Sequence, residues 1–150
     1  MHMHLEALAS DHHPCACSAL RKAARAVTRF YDEVMEDTGL SLAQFAVLRT
    51  IARNEPLPLM RLAHLLVMER TTLYRTLKPL DREGWVIIQD GQRRAKNVRL
   101  TAKGHKAVED SAGAWRNAQA RLVGRFGIER WNRVEAALQD LVAIAHEEMR

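Results

Sequence analysis

The sequence has only two cysteines, Cys15 and Cys17, which are too close together to frame a disulfide-stapled fold; this usage fits a reducing compartment. It lacks any apolar run of about 18 residues, so no membrane-spanning helix is expected. Residues 1–13 lack the charged-then-apolar order of an export signal. They are polar and carry His2, His4, His12 and His13, and are expected to form a flexible arm on a cytoplasmic protein. There is no glycine-rich phosphate loop, no nucleophile-elbow pattern, and no His-x-x-x-His or Glu-x-x-His helix spacing, so the sequence gives no reason to expect an enzyme, a cofactor or a metal site. Aromatic residues make up 5% of the chain.

What is present is enough for one core. With 150 residues, 47% of them hydrophobic, residues 14–150 are expected to form a single domain. Lys and Arg number 23 against 18 Asp and Glu, a formal charge of +5. The distribution says more than the total. No acid lies between Asp90 and Glu109, an interval holding Arg93, Arg94, Lys96, Arg99, Lys103 and Lys106, whereas Glu129, Glu135, Asp140, Glu147 and Glu148 make the last segment acidic. A charge run is ordinarily a solvated face; one this free of acids, placed on a hairpin, points to a polyanion.

The periodicities order the elements. Leu20, Ala24, Val27, Tyr31 and Val34 mark an amphipathic helix from Pro14 to about Asp37, ended by Gly39. Ser41 is placed to cap a second helix with Leu42, Phe45, Leu48, Ile51 and Ala52 inward, which stops before Pro56 and Pro58; the connection there reads as a stub of strand. A short third helix buries Leu62, Ala63 and Leu66. The next buries Leu73, Leu77 and Leu80, turns Thr72, Arg75 and Lys78 outward, and should bend at Pro79, where a backbone donor is missing. Trp85–Gln89 and Asn97–Leu100 read as two strands of a hairpin joined by the loop from Asp90 to Lys96. Two long helices follow, one capped by Thr101 with Val108, Ala112, Trp115, Ala118 and Leu122 inward, the other starting near Ile128 with Trp131, Val134, Leu138, Leu141 and Ala145 inward.

The expected fold is therefore mainly α with a small β-hairpin: a winged helix-turn-helix over 40–101, with long terminal dimerisation helices at 14–38 and 102–150. A helix fits the major groove of duplex DNA and an arginine-tipped hairpin fits the minor groove or its flanking phosphates. On that basis Arg70, Thr71, Thr72, Arg75 and Lys78 are expected on or against the major groove, with Arg75 placed for a bidentate guanine contact. Arg93, Arg94 and Lys96 form the wing, with Arg94 at its tip. The apolar stripes of the terminal helices cannot all be covered within one protomer, which points to a homodimer.

At these residues the chain resembles the MarR (multiple-antibiotic-resistance regulator) family, over Pro14 to Arg150. "LAQFAVLRTI" (Leu42–Ile51), "ERTTLYRTLKPLDREGWV" (Glu69–Val86) and "RRAKNVRLTAKG" (Arg93–Gly104) are similar to that family's second helix, recognition helix, and wing with its Leu-Thr-x-x-Gly exit. The resemblance implies a triangular homodimer that offers one winged reader to each half of a pseudo-palindrome, commonly released by a small molecule or a redox signal. It also implies an effector cavity between the dimer helices and the reader, which Phe30, Tyr31, Phe45, His64 and Trp115 would border, unless they are simply core or, for His64, surface. The family's wing usually carries aspartate two residues before the arginine; here Gln92 stands there, which removes a charge-assisted pair and predicts a more mobile wing.

Other readings stay open. Cys15 and Cys17 could pack inertly, respond to oxidation if they sit at a helix N-terminus, or join His12 and His13 around a soft metal, although their spacing on a helix makes them diverge. A winged helix could also serve as a protein-interaction module or as a nonspecific DNA binder.

Overall fold

The computed structural model describes Leu8, Ser10 and residues 13–150, so the expected arm, with His2, His4 and His12, lies almost wholly outside the described residues. Over residues 13–150, six α-helices and three strands follow one another: α1 (Ala16–Met35), α2 (Leu42–Asn54), β1 (Leu57–Pro58), α3 (Leu59–Leu65), α4 (Arg70–Arg82), β2 (Val86–Asp90), β3 (Lys96–Leu100), α5 (Ala102–Phe126) and α6 (Ile128–Glu148). The strand stub expected at Leu57-Pro58 joins the hairpin, giving a three-stranded antiparallel sheet in the order β1-β3-β2. Val98 sits opposite both Leu57 and Ile88 and is fully buried at the centre of that sheet.

Local signals set the boundaries. Ser41 accepts from the Gln44 N–H at 3.1 Å while Gln44 Oε1 accepts from the Ser41 N–H at 3.0 Å, a capping box that fixes the start of α2. The Thr101 hydroxyl caps α5 by accepting from Gly104 N at 3.0 Å. Helix α1 starts later than expected: Cys15 is its N-cap and Pro14 lies outside it. Helix α4 runs unbroken from Arg70 to Arg82 through Pro79, against the expected bend. Pro79 sits in the last turn, where its fixed φ is helical and only one backbone bond is lost.

Two turns around α4 share one geometry. After α4, Trp85 N donates to Leu80 O and Gly84 N to Asp81 O, with Gly84 at φ 74°.

 Between α3 and α4, Met68 N donates to Ala63 O and Val67 N to His64 O, with Val67 at φ 53° in the same left-handed position. This is the Schellman arrangement, which favours glycine because a Cβ is strained there. The chain meets that preference at Gly84 and violates it with a β-branched residue at Val67.

The core lies between α1, α2, α3, α4, the sheet and the middle of α5. Met35, Leu48, Ile51, Leu62, Leu77 and Val98 are inaccessible to solvent, and Leu73 and Leu80 are nearly so. Each such side chain stabilises the fold by about 1.5–3 kcal/mol through burial. The terminal helices differ. Leu20 and Ala24 in the first half of α1 are exposed. The expected inward face of α6 is not inward in the protomer: Trp131 and Leu138 are half-buried, while Val134, Leu141 and Ala145 are exposed. Helix α6 leans on α5, and none of its residues is buried. Among the described residues no helix is long and apolar enough to cross a membrane.

Candidate nucleic-acid interface

Burying Leu73, Leu77 and Leu80 on one face of α4 forces the intervening residues outward, and Arg70, Thr71, Thr72, Arg75 and Lys78 are all exposed. None of these cations has a carboxylate within salt-bridge distance among the described residues; the ion pairs found there are His105–Glu55 and Lys106–Asp110. Arg70 lies 5.7 Å from the Tyr74 ring centre, which steers its guanidinium along the helix surface.

The wing tip is held by backbone. Gly91 N donates to Ala95 O at 2.5 Å and Ala95 N to Gln92 O at 3.2 Å, so Gln92 contributes its carbonyl oxygen to the turn. Arg93 and Arg94 both have positive φ, 56° and 62°. Two consecutive non-glycine residues in the left-handed region cost about 1–2 kcal/mol each, and the result is that both guanidiniums are exposed at the tip. Arg94 and Lys96 from the wing share a groove of about 240 Å³ with Arg70 and Tyr74 from α4. The structure thus brings the two expected cationic elements side by side, though 24 positions separate Arg70 from Arg94 in sequence.

The root of the wing carries contacts that the sequence did not reveal. Thr101 N donates to Trp85 O at 3.0 Å and Thr101 Oγ1 to Gly84 O at 2.6 Å; Lys103 Nζ donates to Glu83 O at 2.6 Å. Gly104 comes so close to the start of the wing that a Cβ there would lie 2.0 Å from Trp85 O, which only glycine permits. Leu100 N donates to Glu55 Oε2 at 2.7 Å, and His105 Nε2 pairs with Glu55 Oε1 at 2.5 Å. No local pattern announces Glu55, because its partners are more than 40 residues away.

The residues expected to border an effector cavity form two aromatic pairs, with His64 apart from both. Phe45 stacks on Trp115 with ring centres 5.9 Å apart, and Arg49 lies 3.9 Å over Trp115. Burial and the nearby Arg53 push the Arg49 guanidinium below its usual pKa. Phe30 meets Tyr31 edge-on at 5.9 Å, the Tyr31 hydroxyl donates to Gln119 Oε1, and burial pushes the Tyr31 phenol up. Phe30, Trp115 and His64 line three separate grooves: Phe30 with Arg121 and Phe126, Trp115 with Val123 and Trp131, and exposed His64 with Val67, His146 and Met149. Arg49 and Gln119 are polar neighbours of the aromatic pairs that sequence reasoning missed.

Cys15 and Cys17 are both exposed in the protomer. Hydrogen bonds from the Ser18 backbone and hydroxyl, then from the Cys17 backbone, lower the Cys15 thiol from its ordinary value. Among the described residues no group of three His, Cys, Asp or Glu side chains is placed to hold a metal; His12 of the suspected cluster lies outside them.

Comparison with known proteins agrees with this geometry. Residues 40–104 match the family described as winged helix DNA-binding domain. Among solved structures, the Mycobacterium tuberculosis transcriptional regulator MosR in complex with DNA is similar at a TM-score of 0.82 and 34% identity, covering 89% of this chain and 98% of that one. NadR in complex with 4-hydroxyphenylacetate (TM-score 0.71, 21% identity, 88% of this chain and 95% of that one) shares the fold. So does wild-type MarR from Escherichia coli in its apo form (TM-score 0.64, 20% identity, 85% and 97%). An uncharacterized HTH-type transcriptional regulator of Staphylococcus aureus strain Mu50 is 28% identical over 87 residues, 57% of this chain, and the chain spans 60% of that relative's length. With a relative 34% identical and matched over 98% of its length, with the same reader between long helices, the chain belongs to the MarR family of winged-helix transcriptional regulators.

Proposed function

We propose that this regulator binds a pseudo-palindromic operator in double-stranded DNA as a homodimer and represses transcription from it. The observation that carries the reading is the pairing of α4's exposed cations, none of them in an ion pair among the described residues, with a wing that spends backbone strain to present Arg93 and Arg94. Arg75 reads guanine in the major groove, Thr71 and Thr72 contact phosphate or thymine methyl, Arg70 and Lys78 hold phosphates, and Arg93, Arg94 and Lys96 grip the minor groove or its edges. In this reading residues 40–101 are the reader and 14–38 with 102–150 are the dimerisation helices of one domain, in a cytoplasmic protein. The exposed apolar residues of α1 and α6 support the dimer. Two readers related by a two-fold axis meet half-sites on the order of 34 Å apart. Selection from a random duplex library, followed by fluorescence anisotropy at several salt concentrations, tests the reading: a palindromic motif and a steep salt dependence are expected. Equal affinity for every duplex would favour a nonspecific binder, and no binding at low salt would favour a protein-interaction module.

Release of the DNA is assigned to a small aromatic effector near the Phe45–Trp115 and Phe30–Tyr31 pairs; the NadR structure with 4-hydroxyphenylacetate supports an aromatic ligand in this fold. An effector acts only through its difference in affinity for the two forms of the dimer. Titrating aromatic acids into the protein–operator complex checks this, with a rise in the operator Kd expected. A second reading, thiol-based release through Cys15 and Cys17, is favoured by the exposed, lowered Cys15 thiol at the N-cap of α1. Peroxide should then weaken operator binding in the wild type and leave Cys15→Ser unaffected.

A further inference from the structure

We propose that Glu55 is the positioning residue of the wing, holding the root of the hairpin against the helical body so that the arginine tip is aimed; the functional part of this rests on the DNA-binding reading above.

Strand β1 is only Leu57-Pro58, paired with Val98 and Asn97 of β3. Continuing that register would set Pro56 against Arg99 and Glu55 against Leu100, but β1 begins only at Leu57 and α2 has already ended at Asn54. The ladder stops there and leaves the Leu100 N–H, on a residue only 2% exposed, facing the missing strand. The Glu55 side chain supplies the acceptor instead, at 2.7 Å. Its other oxygen meets His105 Nε2 at 2.5 Å, one turn into α5. A single carboxylate, with its side chain 23% exposed, therefore ties the end of α2 to the last residue of the wing and to the first turn of the long helix.

The opposite side of the root is fastened differently. Thr101 bonds to Trp85 and Gly84, in the turn that leads from α4 into β2. Those bonds hold the two ends of the wing together without fixing the wing relative to α2. Arg94 lies six residues from Leu100, on the order of 20 Å along an extended strand, so a small rotation at the root displaces the tip by several ångströms. Glu55 touches no DNA in this scheme; it acts through the direction of β3.

The experiment compares wild type, Glu55→Ala, Glu55→Gln and His105→Ala in two measurements. Hydrogen exchange without DNA reads the root directly: Glu55→Ala is expected to speed exchange in the segment 86–100 by about tenfold while α4 keeps its wild-type rates, as for a local opening. Glu55→Gln, whose amide oxygen still accepts from Leu100 N, should restore the wild-type pattern, and His105→Ala should move it less than Glu55→Ala does. Fluorescence anisotropy on a selected duplex reads the consequence. Glu55→Ala should weaken binding about tenfold and flatten the salt dependence by about one to two units of slope, the loss of one or two wing phosphate contacts. Unchanged exchange in 86–100, exchange raised equally throughout the protein, or a Glu55→Gln variant as impaired as Glu55→Ala would overturn the proposal. A wild type that binds no duplex would end the DNA-binding reading, while the exchange comparison would still decide the role of Glu55 at the wing root.

Discussion

The two ends of the protomer solve the burial problem in opposite ways. Around the reader, side chains from Tyr31 to Leu100 close on one another, and most of the large side chains almost wholly excluded from solvent lie here. In α6, Ile128, Val134, Leu141, Val142 and Ile144 stay exposed, as does Met149 just beyond it, and no residue of the helix is buried. The reader is thus complete within one chain, whereas the terminal helices present apolar surface that needs another surface to cover it. On the dimer and DNA-binding reading proposed above, this difference separates three effects: changes in the reader core act on folding, changes in α6 on association, and changes at the wing on recognition.

The largest expected effect is in the core. Leu77→Ala removes a fully buried side chain of α4 and should lower unfolding stability by about 2–5 kcal/mol, read by urea denaturation. The same truncation at Leu141, which is 46% exposed, should have far less effect on the protomer. If both cost the same, the contrast between the two ends is wrong. Next, Leu141→Asp combined with Ile144→Asp should shift the protein to monomer in sedimentation velocity while leaving the helical circular dichroism of the reader in place. A dimer that persists would move the interface away from α6.

At the wing, Arg94→Ala should weaken binding to all duplexes by about tenfold and reduce the slope of log affinity against log salt by about 0.9, the share of one phosphate contact. An unchanged slope would remove Arg94 from the interface. The smallest effect sharpens the comparison of the two Schellman turns. Val67 is 55% exposed and left-handed, so Val67→Gly relieves backbone strain and loses little burial. Against the greater chain entropy of glycine, a net stabilisation of about 0.5 kcal/mol is expected, visible as a raised Tm. The reverse exchange, Gly84→Val, should destabilise.

Sequence alone determined the elements and their order: the leucines of α4 at three- and four-residue spacing, the Ser41 capping box, the Thr101 cap, and the acid-free basic hairpin are all local patterns, readable because the interactions behind them span at most a few residues. It also placed the cationic side chains on α4's outer face, since a buried stripe dictates where the rest must point. Only the tertiary structure decided that Arg70 and Arg94 share a groove, that Gly104 lies against Trp85, that the aromatic residues fall into separate grooves, and that Glu55 closes the root of the wing. Those facts arise from segments tens of residues apart meeting through the packing of the whole core, and no periodicity along the chain encodes which distant group will arrive at a given atom.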